Sequence, residues 1–386
     1  MLNRIKLLTA GESHGKGSLG IIEGIPAGLK ITEKYINVEL SRRQKGYGRG
    51  ARMKIENDKI EIYTGVRFGR TIGSPIGLIL PNKDWDNWVE RMSIEKKTKN
   101  IGKITLPRPG HADLAGVQKY DFDDIRNVIE RSSARETAMR VALGSVCKKM
   151  IEELGIEVGS RVIQINKIKD EHPIPKNLNP LKLSKIVDQS PVRCLDETKE
   201  KEMIEIIEKA KKNGDSLGGV FEVIANGLPY GLGNYNQWDN KLQAKITECI
   251  MSINAFKGIE IGLGFGYTDK FGSQVHDEIG WDGNKFTRFS NNAGGIEGGM
   301  SNAQPIIFKS VMKPIPTLTK PLRSVDIKTK KNQLAHKERT DSCSVPSASI
   351  IAESMLSIAI ADSILEKFGG DSMDQLKKHI SCTAKY

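Results

Sequence analysis

Two histidines stand next to glycines in settings suited to proton transfer. Gly11-Glu12-Ser13-His14-Gly15 puts an acid, a hydroxyl and an imidazole into one short turn. Glycines at both ends permit the tight backbone that exposes such a side chain. The chemistry open to His14 is acid–base work or contact with a phosphate. The plainer alternative is a turn histidine that caps a backbone carbonyl. Pro107-Arg108-Pro109-Gly110-His111-Ala112-Asp113 gives His111 a similar setting, and an imidazole near neutral pH suits a general acid. His111 and Asp113 alone make a poor metal set, because no third ligand lies nearby in sequence. A structural histidine is an equal reading. His172, His276, His336 and His379 lack such settings and read as structural or surface residues.

Groups suited to anions recur around these histidines. The run Arg42 to Arg52 (RRQKGYGRGAR) holds four arginines and a lysine with interleaved glycines. The guanidinium fork matches carboxylate and phosphate, so a small polyanion site is one reading. An RNA-binding Arg/Gly segment with an aromatic is a second, and a solvated basic loop is the third. Arg131-Ser132-Ser133-Ala134-Arg135 opens a predicted helix, where free amides favour anions. Asn291 to Met300 (NNAGGIEGGM) reads as backbone packed against a flat or phosphorylated ligand, or as a Gly-rich hairpin. Arg339-Thr340-Asp341-Ser342-Cys343 precedes a helix at Pro346. Cys343 lacks an obvious base and reads as a small packed residue. Gly15 to Gly20 (GKGSLG) matches a dinucleotide fingerprint, but Gly24, Pro26 and Gly28 follow it. A strand, not the required helix, leaves that loop, so the nicotinamide reading is rejected.

These residues need elements to hold them. Strands are predicted at 60–63, 77–80, 162–165 and 220–224. Ser133 and Glu136 form a capping-box pattern opening a helix that Gly155 ends. Further helices are predicted at 200–212, at 242–256 and after Pro346. Mixed order makes the class α/β or α+β. Long loops at 41–54, 102–116, 264–305 and 313–346 carry most of the Gly, His and Arg residues, and loops of that size are usually functional. No clean linker appears, so one large domain spanning 1–386 is expected. The chain has 386 residues and a net charge of +12, which asks for an anionic partner. Glu353 and Asp362 interrupt the apolar stretch 347–365, which excludes a membrane span. The opening residues show no signal-peptide pattern. Five scattered cysteines form neither a disulfide framework nor a zinc site. A soluble, cytoplasmic protein is expected.

Taken together, these segments resemble the chorismate synthase family. The matching pieces are TAGESHG from Thr9, RRQKGYGRGAR from Arg42, PGHADLAG from Pro109, RSSARETA from Arg131, NAFKG from Asn254, NAGGIEGGMSN from Asn292, KPIPT from Lys313 and RTDSCSVP from Arg339. Two departures are minor: Ala303 stands where glycine is common, and Asn291-Asn292 replaces a frequent Asn with a basic neighbour. The resemblance implies an α+β fold, a β-α-β sandwich with helices between two antiparallel sheets, in a homotetramer. It implies anti-1,4-elimination of phosphate and a ring hydrogen from 5-enolpyruvylshikimate 3-phosphate, giving chorismate. The reaction would depend on reduced FMN (FMNH2) without net redox change. NADPH would enter only as a flavin reductant; the family includes both members that reduce flavin with it themselves and members that depend on an external flavin reductase, and with no reductase domain evident the second kind is expected. By the same resemblance His14, His111 and Asp341 would be catalytic. Ser13, Arg43, Arg49, Arg52 and Arg135 would bind substrate. Arg131, Ser132, Ser133, Asn254, Ala255, Gly298, Lys313, Pro314, Ile315, Pro316, Thr317 and Arg339 would form the FMN site. No metal, nucleic acid or membrane is implied. A nucleic-acid protein would instead bind with steep salt dependence, and a dehydrogenase would transfer hydride.

Overall fold

Along Gly17–Glu23, Ser18, Gly20 and Ile22 turn inward while Leu19, Ile21 and Glu23 turn out. That is the period-two pattern of a strand with one covered face. The computed structural model describes residues 2–50, 58–95, 101–174, 179–336 and 341–383; the site candidates Arg52 and Arg339 lie outside them. The first sheet is antiparallel and contains β1 (Lys6–Gly11), β2 (Gly17–Glu23), β3 (Glu61–Ile62) and β4 (Ile76–Pro81), in the order β1-β2-β4-β3. The second contains β5 (Glu157–Ile165), β6 (Ile168–Lys169), β7 (Gly219–Asn226), β8 (Phe256–Ile261) and β9 (Ile306–Met312). Its order is β8-β9-β7-β5-β6, again antiparallel throughout.

Six helices matter for the site: α1 (Glu33–Gln44), α2 (Asp113–Tyr120), α3 (Arg126–Ser132), α4 (Thr137–Glu152), α5 (Leu242–Met251) and α6 (Val345–Phe368). α4 lies against the inner face of the first sheet. Gly20 is needed there, since a Cβ would come 2.5 Å from Met139 Sδ. α4 packs on α6 just as closely: a Cβ at Gly144 would fall 2.6 Å from that of Ser354. α6 in turn covers β5 and β7. The packing therefore runs sheet, helix, helix, sheet, an α+β arrangement. One apolar cluster joins Ile22 and Leu78 of the first sheet, Leu143 of α4, Leu356 of α6 and Phe221 of the second sheet.

α6 is long and apolar enough to cross a membrane, but its apolar window is wholly buried inside the protein. The two charges that interrupt it are buried and paired. Asp362 accepts the amides of Asn3, Arg4 and Ile5 at 2.9, 2.7 and 2.9 Å and Lys245 Nζ at 3.0 Å. Glu353 accepts two bonds from Arg42 at 2.8 and 3.1 Å, one from Lys148 at 3.0 Å and one from Ser160 at 2.7 Å. Burial would raise the Glu353 carboxyl, but Arg42 and Lys148 hold it far below the usual range.

Element ends differ from the sequence reading where local geometry intervenes. The helix expected at 200–212 begins at Glu197, because Asp196 accepts the amides of Thr198 and Lys199. The one expected to reach Phe256 stops at Met251, and Phe256 instead opens β8. The capping box is not formed. Ser133 accepts the amide of Arg135 at the head of a single 3-10 turn, and Glu136 pairs with Arg140 at 2.8 Å. The loops read at 264–305 and 313–346 contain short hairpins, 279–281 with 286–288 and 323–325 with 332–334.

Candidate active site

The turn joining β1 to β2 presents Ser13 and His14 toward α3. The Ser13 amide donates to Glu130 O at 2.9 Å, and the His14 amide donates to Glu130 Oε2 at 2.8 Å. The His14 ring Nδ1 lies 3.0 and 3.1 Å from the two Glu130 oxygens. A carboxylate only accepts, so Nδ1 carries the proton and Nε2 becomes the basic atom. Burial would raise the Glu130 carboxyl. Hydrogen bonds from His14 and the charge of Arg126 reverse that and hold it below the usual carboxylate range. The His14 ring also stacks on Trp88, with centroids 3.7 Å apart.

His111 is built the same way from different parts. It lies in the turn before α2, whose first residue, Asp113, is fully buried. His111 Nδ1 donates to Asp113 Oδ1 at 2.5 Å. Arg108 holds the same carboxylate with its amide at 2.9 Å, Nε at 2.7 Å and Nη2 at 3.0 Å. Burial would raise the Asp113 carboxyl, but His111 and Arg108 drive it well below the usual range. Asp113 thus orients the His111 ring through Nδ1. Among the described residues, no group of three His, Cys, Asp or Glu is placed to hold a metal ion.

Hydrogen bonds stitch the sequence motifs into one continuous rim. Ser133 Oγ donates to Ser13 Oγ at 3.2 Å, and Asn254 Nδ2 donates to Ser132 O at 3.0 Å. The Lys313 amide donates to Ala255 O at 2.9 Å, and its Nζ reaches Gly110 O at 2.5 Å beside His111. Burial, with Lys257 nearby, pulls the Lys313 ammonium below its ordinary value. Pro314, Ile315, Pro316 and Thr317 continue from Lys313, and Ser216 Oγ donates to Ile315 O at 2.6 Å. Next door, Leu217 N donates to Ser342 O, and Ser342 N donates to Gly48 O at 2.7 Å. This brings Asp341 to the basic loop. Its carboxylate accepts the Gly50 amide at 2.6 Å and Ser344 Oγ at 3.0 Å, with Arg49 Nε at 3.2 Å.

Besides Arg49, the arginines of these motifs fall into three settings. Arg135 grips Asp58 at 2.6 and 2.7 Å, and Arg43, buried beneath, stands 3.6 Å from the same carboxylate while donating to Thr137 and Ala134 O. Arg131 ties α3 to β1 through Thr9 O and Gly11 O. Arg42 turns into the core toward Glu353. Two arginines of the basic run, Arg42 and Arg43, are therefore drawn into the fold. β2 begins at Gly17, so the glycine fingerprint meets no helix. In the Gly-rich stretch, Ile296–Glu297 pairs with Met300–Asn302 as a hairpin. A Cβ at Gly294 or Gly295 would strike neighbouring backbone at 2.4 or 2.5 Å, whereas Gly298, at φ +60°, has open space around it. Cys343 is buried and its thiol is pushed up to about 12 by that burial, as befits an inert packed residue.

Glu130, Trp88, Asn82 and Arg126 escaped the sequence reading. Glu130 sits just ahead of the RSSARETA motif but looks like any helical glutamate until the fold brings it to His14.

Known proteins resemble this chain along its length. A family model described as chorismate synthase matches residues 5–365. The chorismate synthase of Enterococcus faecalis is 53% identical over 380 residues, 97% of each chain. That of Aquifex aeolicus is 53% identical over 384 residues, 98% of this chain and 96% of the relative. A crystal structure of chorismate synthase superposes with a TM-score of 0.80 at 42% identity, covering 100% of this chain and 98% of that one. With two carboxylate-backed histidines on an arginine-rich rim and this likeness along its length, the chain belongs to the chorismate synthase family, carbon–oxygen lyases of the shikimate pathway.

Proposed function

We propose that the protein converts 5-enolpyruvylshikimate 3-phosphate to chorismate and phosphate by anti-1,4-elimination, dependent on reduced FMN and without net redox change. The observation that carries this reading is the pair of histidines, each with a carboxylate at Nδ1, on a rim lined with arginines. The substrate has two carboxylates and a phosphate, which suit the forks of Arg49, Arg52 and Arg135, with Arg43 joined to Arg135 through Asp58.

The residues present suit a flavin. Lys313 offers a cation, Ser132 and Ser133 hydroxyls, and Asn254 an amide, while Ala255 and Gly298 hold left-handed backbone at φ +69° and +60°. Arg131, Pro314 to Thr317 and Arg339 complete the set that would hold it. When bound, reduced FMN would lend electron density that eases phosphate departure and then recover it. His111 would protonate the departing phosphate from Nε2, with Asp113 stabilising the imidazolium. His14 would contact substrate and keep the flavin in its reactive protonation state. Asp341 is the carboxylate that would help move the ring proton.

The same reading makes the protein a cytoplasmic single domain that works as a homotetramer, with NADPH only as a flavin reductant supplied through an external reductase. The outer face of the first sheet supports association: Leu8, Leu19 and Ile21 are 67%, 51% and 46% exposed, and Leu8 lies directly opposite Ile21. The test is an anaerobic assay with purified protein, substrate and dithionite-reduced FMN, following chorismate absorbance and phosphate. His14→Ala and His111→Ala should each lower kcat by roughly 10²-fold while FMN binding is retained. Absence of chorismate from the unmodified protein would overturn the proposal.

A further inference from the structure

We propose that Trp88 is a positioning residue for His14; this rests on the catalytic role given to His14 above. The segment after β4 is anchored to the His14 turn. Asn82 Nδ2 donates to Gly15 O at 2.8 Å, and the Asn82 amide donates to Lys16 O at 3.1 Å. The Asp84 amide donates to Asn82 Oδ1 at 3.1 Å, and Asp84 Oδ2 accepts Trp88 Nε1 at 2.9 Å. This chain of bonds fixes the indole over the imidazole, 3.7 Å between centroids with 26° between planes.

His14 is thus held in two independent directions. Glu130 holds the ring edge through Nδ1, which fixes the tautomer but leaves the ring able to tilt about that bond. Trp88 holds the ring face, which removes the tilt and sets the direction of Nε2. Arg126 joins the two supports, donating to Glu130 Oε1 at 3.1 Å while its guanidinium carbon lies 5.3 Å from the Trp88 ring centroid. Trp88 is only half-buried and stands outside the apolar clusters of the core. Its place is explained by what it covers.

The test is a double-mutant cycle. Trp88→Ala should lower kcat about 10-fold, the effect of losing one well-formed aromatic stack, with the substrate KM changed by less than about 2-fold. Trp88→Phe, which keeps a ring face, should stay within about 3-fold of wild type. In a His14→Ala background, Trp88→Ala should change kcat no further, because its effect passes through His14. A readout independent of turnover is the proton NMR of the His14 ring in ligand-free protein. The indole ring current should place these signals upfield, and Trp88→Ala should return them downfield. An equal loss in both backgrounds, an unchanged kcat, or His14 signals that ignore Trp88 would each overturn the assignment. If Trp88→Ala fails to fold, the core role denied above is real and the assignment falls. Failure of the proposed reaction would show in the wild type as absent chorismate, with the NMR signature intact.

Discussion

Replacing Asp113 by Asn tests the His111 arrangement most severely. Four donors converge on the carboxylate: the amide and Nε of Arg108 on Oδ2, and Arg108 Nη2 with His111 Nδ1 on Oδ1. An amide supplies one accepting oxygen and one donating NH2. If the oxygen keeps the Oδ2 bonds, the NH2 faces His111 and Nη2. The ring must then accept at Nδ1 and carry its proton on Nε2, and an imidazolium there loses its counter-charge. A lost general acid costs about 10²–10⁴ in kcat. Arg108 also keeps its charge in a site where its side chain is 4% exposed, and breaking a buried pair from one side costs about 3–5 kcal/mol. The assays are urea unfolding and anaerobic turnover on the same preparation. Folding linkage adds a third measure. The folded Asp113 carboxyl titrates below its unfolded value, which is about 3.9. Its stabilisation is therefore full above that pH and is lost as pH falls toward the folded value. In that acid window wild-type stability should fall more steeply than Asp113→Asn by about 1.4 kcal/mol per pH unit. A folded Asp113→Asn enzyme with kcat within about 3-fold of wild type would refute the orientation argument.

Other expectations concern the scaffold. Glu353→Gln leaves the buried cations Arg42, Lys148 and Arg193 facing only Glu39 and Asp188 inside the helix layer, and should cost about 3–5 kcal/mol of stability by urea denaturation; a loss under about 1 kcal/mol would show that water reaches the cluster. Ala303 holds φ +64°, where a Cβ is strained by about 1–2 kcal/mol. Ala303→Gly relieves this but frees the unfolded chain by about 0.4–1 kcal/mol, so a net gain of about 0.5–1 kcal/mol is expected. Net destabilisation would contradict the strain.

The histidine turns were legible because nearby glycines announce an exposed side chain, as at Gly11 and Gly15 around His14. Their partners were legible only when close in sequence. Asp113, two residues from His111, was visible, but only as a poor metal ligand; its hold on His111 Nδ1 emerged from the fold. Glu130, 116 residues from His14, was not visible. Arg42 shows the converse. It stands in the same basic run as Arg43 and Arg49, yet its position on α1 points it at Glu353, 311 residues away. Helix identity was readable from apolar spacing, whereas ends were set by single side chains such as Asp196. The capping box failed because Glu136 found a stronger partner in Arg140 one turn on. The glycine excess proved double in meaning: Gly20 and Gly144 serve packing between layers, and Gly298 alone of the paired glycines near residue 295 looks onto open space.

A flavin-dependent elimination with no net redox change is read out by counting products against flavin in a sealed anaerobic reaction, with substrate in large excess over reduced FMN and no other reductant. Chorismate and phosphate should appear in equal amounts, many per flavin, with the flavin still reduced when substrate is gone. Product that stops at one per flavin with the flavin oxidised, or turnover that proceeds equally with oxidised FMN, would contradict it.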